Sequence, residues 1–199
     1  MESGIIRRYP FIKDAFGIII FVACVLVGTL LINNFIFRSY SVVGPSMQTT
    51  MFTGDRLIVN RIPVTLAQIQ NKDYIPDRGQ IIVFKNPQYA TGMADEFIVK
   101  RVIAFPGEKV VLSNGSYTVY NNANPNGFNP DDANNGEPGS PTSGSGTWKV
   151  PDGELFVSGD HRQGTNSYDS RNGLGTIPFY DIIGPVSVRV FPFDKIRTF

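Results

Sequence analysis

A mainly β protein, with an antiparallel or barrel-like sheet domain preceded by a single transmembrane helix, is the fold class that this sequence predicts. Three observations predict it. Residues 15–32, AFGIIIFVACVLVGTLLI, carry neither charge nor proline. Beyond Phe37 no long run of helical period follows. Short β-branched runs take its place, punctuated by Gly, Pro, Asn and Asp in the manner of an all-β domain.

The elements follow in order. About 20 consecutive apolar residues span a bilayer, and residues 15–32 extended by NNFIF reach that length. The apolar core is longer than the 7–15 residues usual for a cleaved leader, and no small-x-small site follows it. We therefore assign residues 15–37 to a retained anchor; a buried helix of a soluble protein is the competing reading. Arg7, Arg8 and Lys13 precede the span and Arg38 follows it. The positive-inside rule then places residues 1–14 in the cytoplasm and residues 38–199 outside it. That outer part contains the strand-like runs YSVVG, DRLIVNRI, QIIVFKN, EFIVKRVIAF, EKVVLS, YTVYN, GELFVSGD and GPVSVRVFPF, with one short helical turn expected at LAQIQ. From about 121 to 147 the chain is rich in Asn, Gly, Pro and Ser and poor in bulky apolar residues. This composition predicts a flexible surface insertion whose removal from 131 to 146 leaves folding nearly intact. Asn114-Gly115-Ser116 matches a glycosylation acceptor, a triplet frequent by chance.

Composition bounds the chemistry. Lys and Arg number 18 against 17 Asp and Glu, so no basic footprint for nucleic acid is present. The single cysteine, Cys24, lies within the apolar span, which excludes an intramolecular disulfide and a cysteine-based zinc site. The single histidine, His161, excludes any metal site that needs two. No metal and no cofactor is expected.

One serine stands out by its place. Ser46, in Gly44-Pro45-Ser46-Met47, sits in a turn just after the anchor and just before a strand-like run. In isolation it is a turn residue. A serine hydroxyl becomes a good nucleophile only when a base takes its proton, and two candidate bases exist, His161 and Lys100. Strand alternation puts Ile98, Lys100 and Val102 on one face and Val99 and Arg101 on the other. A lysine between two β-branched neighbours suits a buried amine, although a lysine snorkelling over apolar surface has the same pattern. At the unperturbed pKa of about 10.4 an amine is neutral roughly once in 2,500 molecules at pH 7. Lowered to about 8 by desolvation it is neutral roughly one time in ten, for about 3 kcal/mol. A further block, SGDHRQGTNSYDSRNGLGTIP from residue 158 to 178, packs hydroxyls, carboxylates and two arginines between strands. Alone, it reads as a polar loop.

Together these blocks resemble the bacterial type I signal peptidases. The matching motifs are Gly44-Pro45-Ser46-Met47, Gly54-Asp55-Arg56-Leu57-Ile58-Val59 and Arg78-Gly79-Gln80-Ile81-Ile82-Val83-Phe84. They continue with Lys100-Arg101-Val102, Pro106-Gly107-Glu108, Gly159-Asp160 and Ser167-x-Asp169-Ser170-Arg171, all in the family's order. The resemblance implies a membrane-anchored serine endopeptidase with a Ser/Lys dyad and a mostly β catalytic domain outside the membrane, without a cofactor. Its partners would be secreted preproteins and the lipid bilayer, with the enzyme acting as a monomer. Carried over, Ser46 is the nucleophile and also the backbone N–H donor to the oxyanion, Lys100 is the general base, and Ser167 orients the lysine amine. Asp160, Asp169 and Arg171 are structural support. Met47, Ile98 and Val99 are expected to line the substrate pocket.

The chain departs from the family at several points. Gln48-Thr49-Thr50-Met51 stands where a Pro-Thr-Leu is usual, His161 replaces an Asn, Ala104 a Gly, and two extra residues stand between Arg162 and Ser167. Gly44 occupies a position where many members have a serine that helps to stabilise the oxyanion, so Gly44→Ser is expected to be tolerated. Two other readings fit parts of the pattern. One is a self-cleaving Ser/Lys protease of the SOS-repressor type; the other is a membrane-tethered β-domain with relic catalytic residues.

Overall fold

The computed structural model describes residues 10–92, 95–134, 138 and 141–199. The sequence argument for residues 1–14 falls largely on residues outside these, Arg7 and Arg8 included. Helix α1 (Pro10–Leu31) passes through a π-helical turn (Ile32–Ile36) directly into strand β1 (Phe37–Ser41). The apolar part, Asp14–Ile36, is 23 residues long. At 1.5 Å per residue it is about 34 Å long, enough for the hydrocarbon core of a bilayer.

The remaining strands are β2 (Arg56–Asn60), β3 (Ile81–Lys85), β4 (Phe97–Ala104), β5 (Lys109–Ser113), β6 (Ser116–Tyr120), β7 (Gly146–Lys149), β8 (Glu154–Ser158), β9 (Ile177–Pro178), β10 (Ile182–Phe191) and β11 (Arg197–Thr198). The main sheet has the order β1-β2-β10-β3-β4-β8-β9, with β11 on β10, and a three-stranded sheet has the order β6-β5-β7. Every pairing is antiparallel. Four antiparallel steps separate β1 from β4, so these two run in the same direction. They are separated by three strands in the sheet, yet line one groove. The sheet is therefore curled. Its bend is concentrated in β10, whose pairing slips with β2 after Val186 and after Arg189, and with β3 after Ile182. Bulges of this kind sharpen local twist.

The curl explains why the central strands read as unbroken apolar runs. In β3, Ile82 and Phe84 enter one core with Ile98, Val102, Leu155 and Val157, while Ile81 and Val83 enter a second with Val42, Leu57 and Val59. Side chains alternate across a strand, so a strand covered on both faces must be apolar at every position. A third core, with Val110, Tyr117, Val119 and Phe156, lies under the small sheet. Two motifs far apart in sequence are joined here. Arg78 donates to both Glu108 carboxylate oxygens at 2.7 and 2.9 Å, and to the Ile103 carbonyl. Burial pushes the Glu108 carboxyl up, but Arg78, Asn121 and the Phe105 N–H outweigh it and hold it below the usual range.

Two sequence expectations change. The helical turn at LAQIQ belongs to a longer helix, α2 (Ile62–Ile69), with proline in its first turn. The insertion at about 121–147 is docked on the domain at several described positions. Phe128 exchanges two backbone hydrogen bonds with Val119, at 2.8 and 3.0 Å, and packs against the third core. Asp131 and Thr142 are buried, and Asp131 holds Arg162 in a bidentate pair. Composition missed this because a few anchoring contacts do not require an apolar-rich segment. The reason to expect harmless excision is thus removed. Deleting 131–146 leaves the Arg162 guanidinium buried without its carboxylate, a loss of about 3–5 kcal/mol. A thermal melt of the deleted protein in detergent is expected to show Tm lower by roughly 6–20 °C.

Candidate active site

Ser46 lies in the loop joining β1 to β2, and that loop is pinned at both ends. Val42 N–H donates to Asp55 O and Gly54 N–H to Val42 O, both at 2.9 Å. The Asp55 carboxylate accepts from Phe52 N–H and from Arg189, which also donates to Thr50 O. Inside the loop, Gln48 N–H donates to Pro45 O and Met51 N–H to Met47 O, so the chain turns inward directly after Ser46. This turn carries Met47 into the second core, where it is 0 % exposed with Met51, Leu57 and Val59 around it. Met47 therefore does not line the pocket. Ile98 and Val99 do, together with Tyr40, Val42, Phe97 and Tyr168, in a groove of about 650 Å³ between β1 and β4. Ser46 and Lys100 lie in the same groove.

The two candidate bases separate on geometry. Lys100 is 3 % exposed, and its Nζ donates to Ser46 Oγ and to Val99 O, both at 2.8 Å. Burial lowers its pKa to about 8 against the upward pull of Asp169, Asp160 and Asp95. His161 turns elsewhere. Its Nδ1 lies 3.2 Å from Pro45 O and its Nε2 3.1 Å from Asn166 Nδ2. The amide N–H is a donor, so Nε2 accepts and the Nδ1 proton faces Pro45 O. The backbone N–H of His161 donates to Ser46 O at 3.0 Å, which makes it a brace for the serine.

Two of the carboxylates near the lysine, Asp160 and Asp169, are each engaged by arginine. Arg101 Nε and Nη2 donate to Asp160 at 2.8 and 2.6 Å, and Thr50 Oγ1 adds a third bond at 2.5 Å. Thr50 belongs to the loop that carries Ser46, so Asp160 ties that loop to β4. Asp169, fully buried, accepts from Gly159 N–H, Ser158 Oγ, Arg171 N–H and Asn172 N–H, and lies 3.6 Å from Arg171 Nη2. Nothing in the sequence pointed to Thr50 or Asn166. Polar loop residues carry no periodic signal, and their partners lie more than 100 residues away for Thr50 and on a short loop turn for Asn166.

Ser167 is 0 % exposed, and its Oγ makes no hydrogen bond among the described residues. The expected bond to the lysine amine is not formed, since Nζ points to Ser46 and Val99 O. Ser167 Oγ packs instead against Gly159, where an added Cβ would overlap both it and the Ser46 carbonyl. The Ser46 N–H, expected to serve an oxyanion, makes no hydrogen bond among the described residues. Among those residues no cluster of metal-ligating side chains occurs.

The family model and the curated relatives agree with one another. The family model "Signal peptidase, peptidase S26" matches residues 13–191. Signal peptidase I P of Bacillus subtilis subsp. natto is 35 % identical over 185 residues, covering 89 % of this chain and 89 % of the relative. Signal peptidase I S of Bacillus subtilis (strain 168) is 34 % identical over 176 residues, with 84 % of each chain covered. Among solved structures, a signal peptidase I from Enterococcus faecalis matches with 25 % identity and a TM-score of 0.43, covering 57 % of this chain and 97 % of that one.

The backbone at Gly44 speaks against the expectation of a tolerated serine. Its φ is +90°, a region that side chains avoid, even though space around it is open. A serine there costs about 1–3 kcal/mol in strain or forces the turn to move. Gly44→Ser is expected to lower both Tm and activity, and a variant with wild-type values in a thermal melt and a cleavage assay would show that the turn adapts.

Proposed function

This chain belongs to the signal peptidase family, peptidase S26, and on that premise we propose that Ser46 and Lys100 form the catalytic dyad. It is a membrane signal peptidase, a serine endopeptidase that removes signal peptides from secreted preproteins. One observation carries the assignment of residues: a buried amine with a lowered pKa stands 2.8 Å from a serine hydroxyl inside a groove flanked by two strands.

The chemistry follows from that pair. In its neutral form Lys100 takes the Ser46 proton as Oγ attacks the scissile carbonyl. The resulting ammonium gives the proton to the leaving amine as the C–N bond breaks, leaving an acyl-enzyme and freeing the mature protein. Water, losing a proton to the same amine, then hydrolyses the ester and releases the signal peptide. The Ser46 N–H is the backbone donor to the oxyanion, since Pro45 has none. Ser167 serves the ammonium. Two of the three ammonium protons have acceptors in Ser46 Oγ and Val99 O; Ser167 Oγ, buried, unpartnered and not bonded to Nζ here, would turn toward the amine to accept the third. Asp160, Asp169 and Arg171 hold the two loops that meet at the dyad.

The substrate adds as an extended strand between residues 40–44 and β4, which run in the same direction and leave room for it. Side chains before the cut enter the part of the groove lined by Ile98, Val99 and Tyr40. The N-terminus lies in the cytoplasm and the catalytic domain outside, following the charges at Arg7, Arg8 and Lys13. Phe35 and Phe37, exposed at the end of the anchor, and Phe52, exposed in the loop beyond β1, rest on the lipid surface. Groove and dyad are complete within one chain, which supports a monomer.

Ser46→Ala and Lys100→Ala are each expected to abolish cleavage of a preprotein, and the double variant to be no worse than either, because the two act as a unit. Appreciable cleavage by Lys100→Ala would remove the dyad. The pH profile is a second check. Activity needs neutral Lys100, so kcat/KM should rise about tenfold per pH unit below pH 8 and level off above it. The same depressed pKa favours the unfolded state's proton uptake between about 8 and 10.5, so folding stability contributed by this group rises with pH across that window. A flat profile from pH 6 to 9 would rule out an amine base.

A further inference from the structure

We propose that the Asn/Gly-rich insertion is a strap that positions the nucleophile, with Asp131 and Arg162 as its positioning residues. The inference rests on the reading of Ser46 as the nucleophile. Arg162 is 1 % exposed and Asp131 5 %. Its two terminal nitrogens donate to the two Asp131 carboxylate oxygens at 2.8 and 2.7 Å, while Nε donates to Gly159 O at 2.7 Å. Its guanidinium lies over the Tyr117 ring, 5.1 Å from the centroid. The main chain of Arg162 is held as well. Its carbonyl accepts from Ser143 N–H at 2.9 Å and from Arg171 Nη1 at 2.7 Å, and Arg171 Nη1 also donates to Ser143 O. Gly164 N–H donates to Ser143 Oγ, and Gln163 Nε2 to Pro141 O. One side of residues 159–164 is thus bonded to the insertion through residues 131, 141 and 143.

The other side of the same turn is bonded to the nucleophile. His161 N–H donates to Ser46 O, the His161 ring meets Pro45 O, and Gly159 packs where no Cβ fits beside Ser46 O and Ser167. The path from insertion to serine is short. Asp131 sets Arg162, Arg162 closes the turn onto Gly159 O, and the turn presents His161 N–H to the Ser46 carbonyl. A fully buried guanidinium has few alternative partners, so the turn takes one position rather than several. Near-attack geometry is sensitive to displacements of the order of 1 Å, which is the scale such a strap governs. Sequence gave no hint of this, because Asp131 lies in a polar stretch 31 residues from its partner.

The test uses the full chain in detergent, a preprotein substrate, and kcat and KM referred to the folded fraction. Asp131→Asn keeps the shape and removes the charge. The expected result is a fall in kcat of roughly ten- to hundredfold with KM within about twofold, and recovery of much of the loss in Asp131→Glu, which restores the carboxylate. Because Asp131→Asn could fail to fold, the paired replacement Asp131→Leu with Arg162→Met removes both charges together and tests the same point in an apolar setting. That double variant should fold and show the same kcat loss. Wild-type kcat in either folded variant would overturn the strap, and so would failure of both to fold, which would make the pair purely structural. Ser46→Ala assayed in parallel separates this from the dyad: if Ser46→Ala still cleaves, the nucleophile assignment has failed; if Ser46→Ala is inactive and Asp131→Asn is unimpaired, only the strap has.

Discussion

An amine can take a proton from a serine near neutral pH only if it is held out of water, and the burial of Lys100 is the constraint around which the rest of the domain is arranged. Desolvation lowers its pKa to about 8. That lowering is opposed by every carboxylate nearby, and two of them, Asp160 and Asp169, are needed to organise the surrounding loops. The structure answers with arginine. Arg101 forks onto Asp160, and Arg171 stands beside Asp169, so the two carboxylates that pull hardest on the amine each have a positive partner. Ion pairs buried in this way are weak sources of stability. Here they let the loops be organised by carboxylates while the pKa of the amine stays at about 8.

Burial of the amine also requires a sheet that surrounds it. A flat antiparallel sheet would leave one face of β4 in water. The irregular pairing of β10 curls the sheet, brings β1 opposite β4, and makes a groove that Ser46 and Lys100 help to line. The anchor feeds the same groove, because α1 runs through its π-helical turn into β1 without a linker. The strand that forms one wall is therefore a direct continuation of the segment in the membrane. On the proposed reading, a substrate held in the same bilayer would meet the wall at a fixed height, and positioning of this kind would replace part of the entropy that a free encounter costs.

Around the serine the loops support one another rather than each standing alone. The loop that carries Ser46 reaches Asp160 through Thr50, and Asp160 reaches β4 through Arg101. The turn at 159–162 reaches the serine carbonyl through His161 and the insertion through Arg162. Ser46 sits where its own loop meets the turn at 159–162, and neither is ordered by apolar burial alone. Backbone shape matters as much as side chains here, as the positive φ of Gly44 and the close packing at Gly159 make plain.

The anchor, the strand-rich domain and the lysine in an alternating strand were legible in the sequence, because each is a local pattern. An uncharged run has a length, a strand has a period of two, and a serine after Gly-Pro stands in a turn whatever follows. The ordered motifs added the pairing of Ser46 with Lys100, which periodicity left open against His161. What tertiary structure alone decided were matters of distance between residues far apart in the chain. Met47 has the composition of a pocket residue, but the inward turn after Ser46 sends it to the core. Ser167 is buried beside the dyad, yet its hydroxyl packs on Gly159 instead of bonding the amine. The insertion looks unable to order itself, and by its own burial it is, but a single aspartate finds a buried arginine across the fold. Local pattern fixes which face or turn a residue occupies; which other residue it meets depends on how the whole sheet closes, and no short stretch of sequence contains that closure.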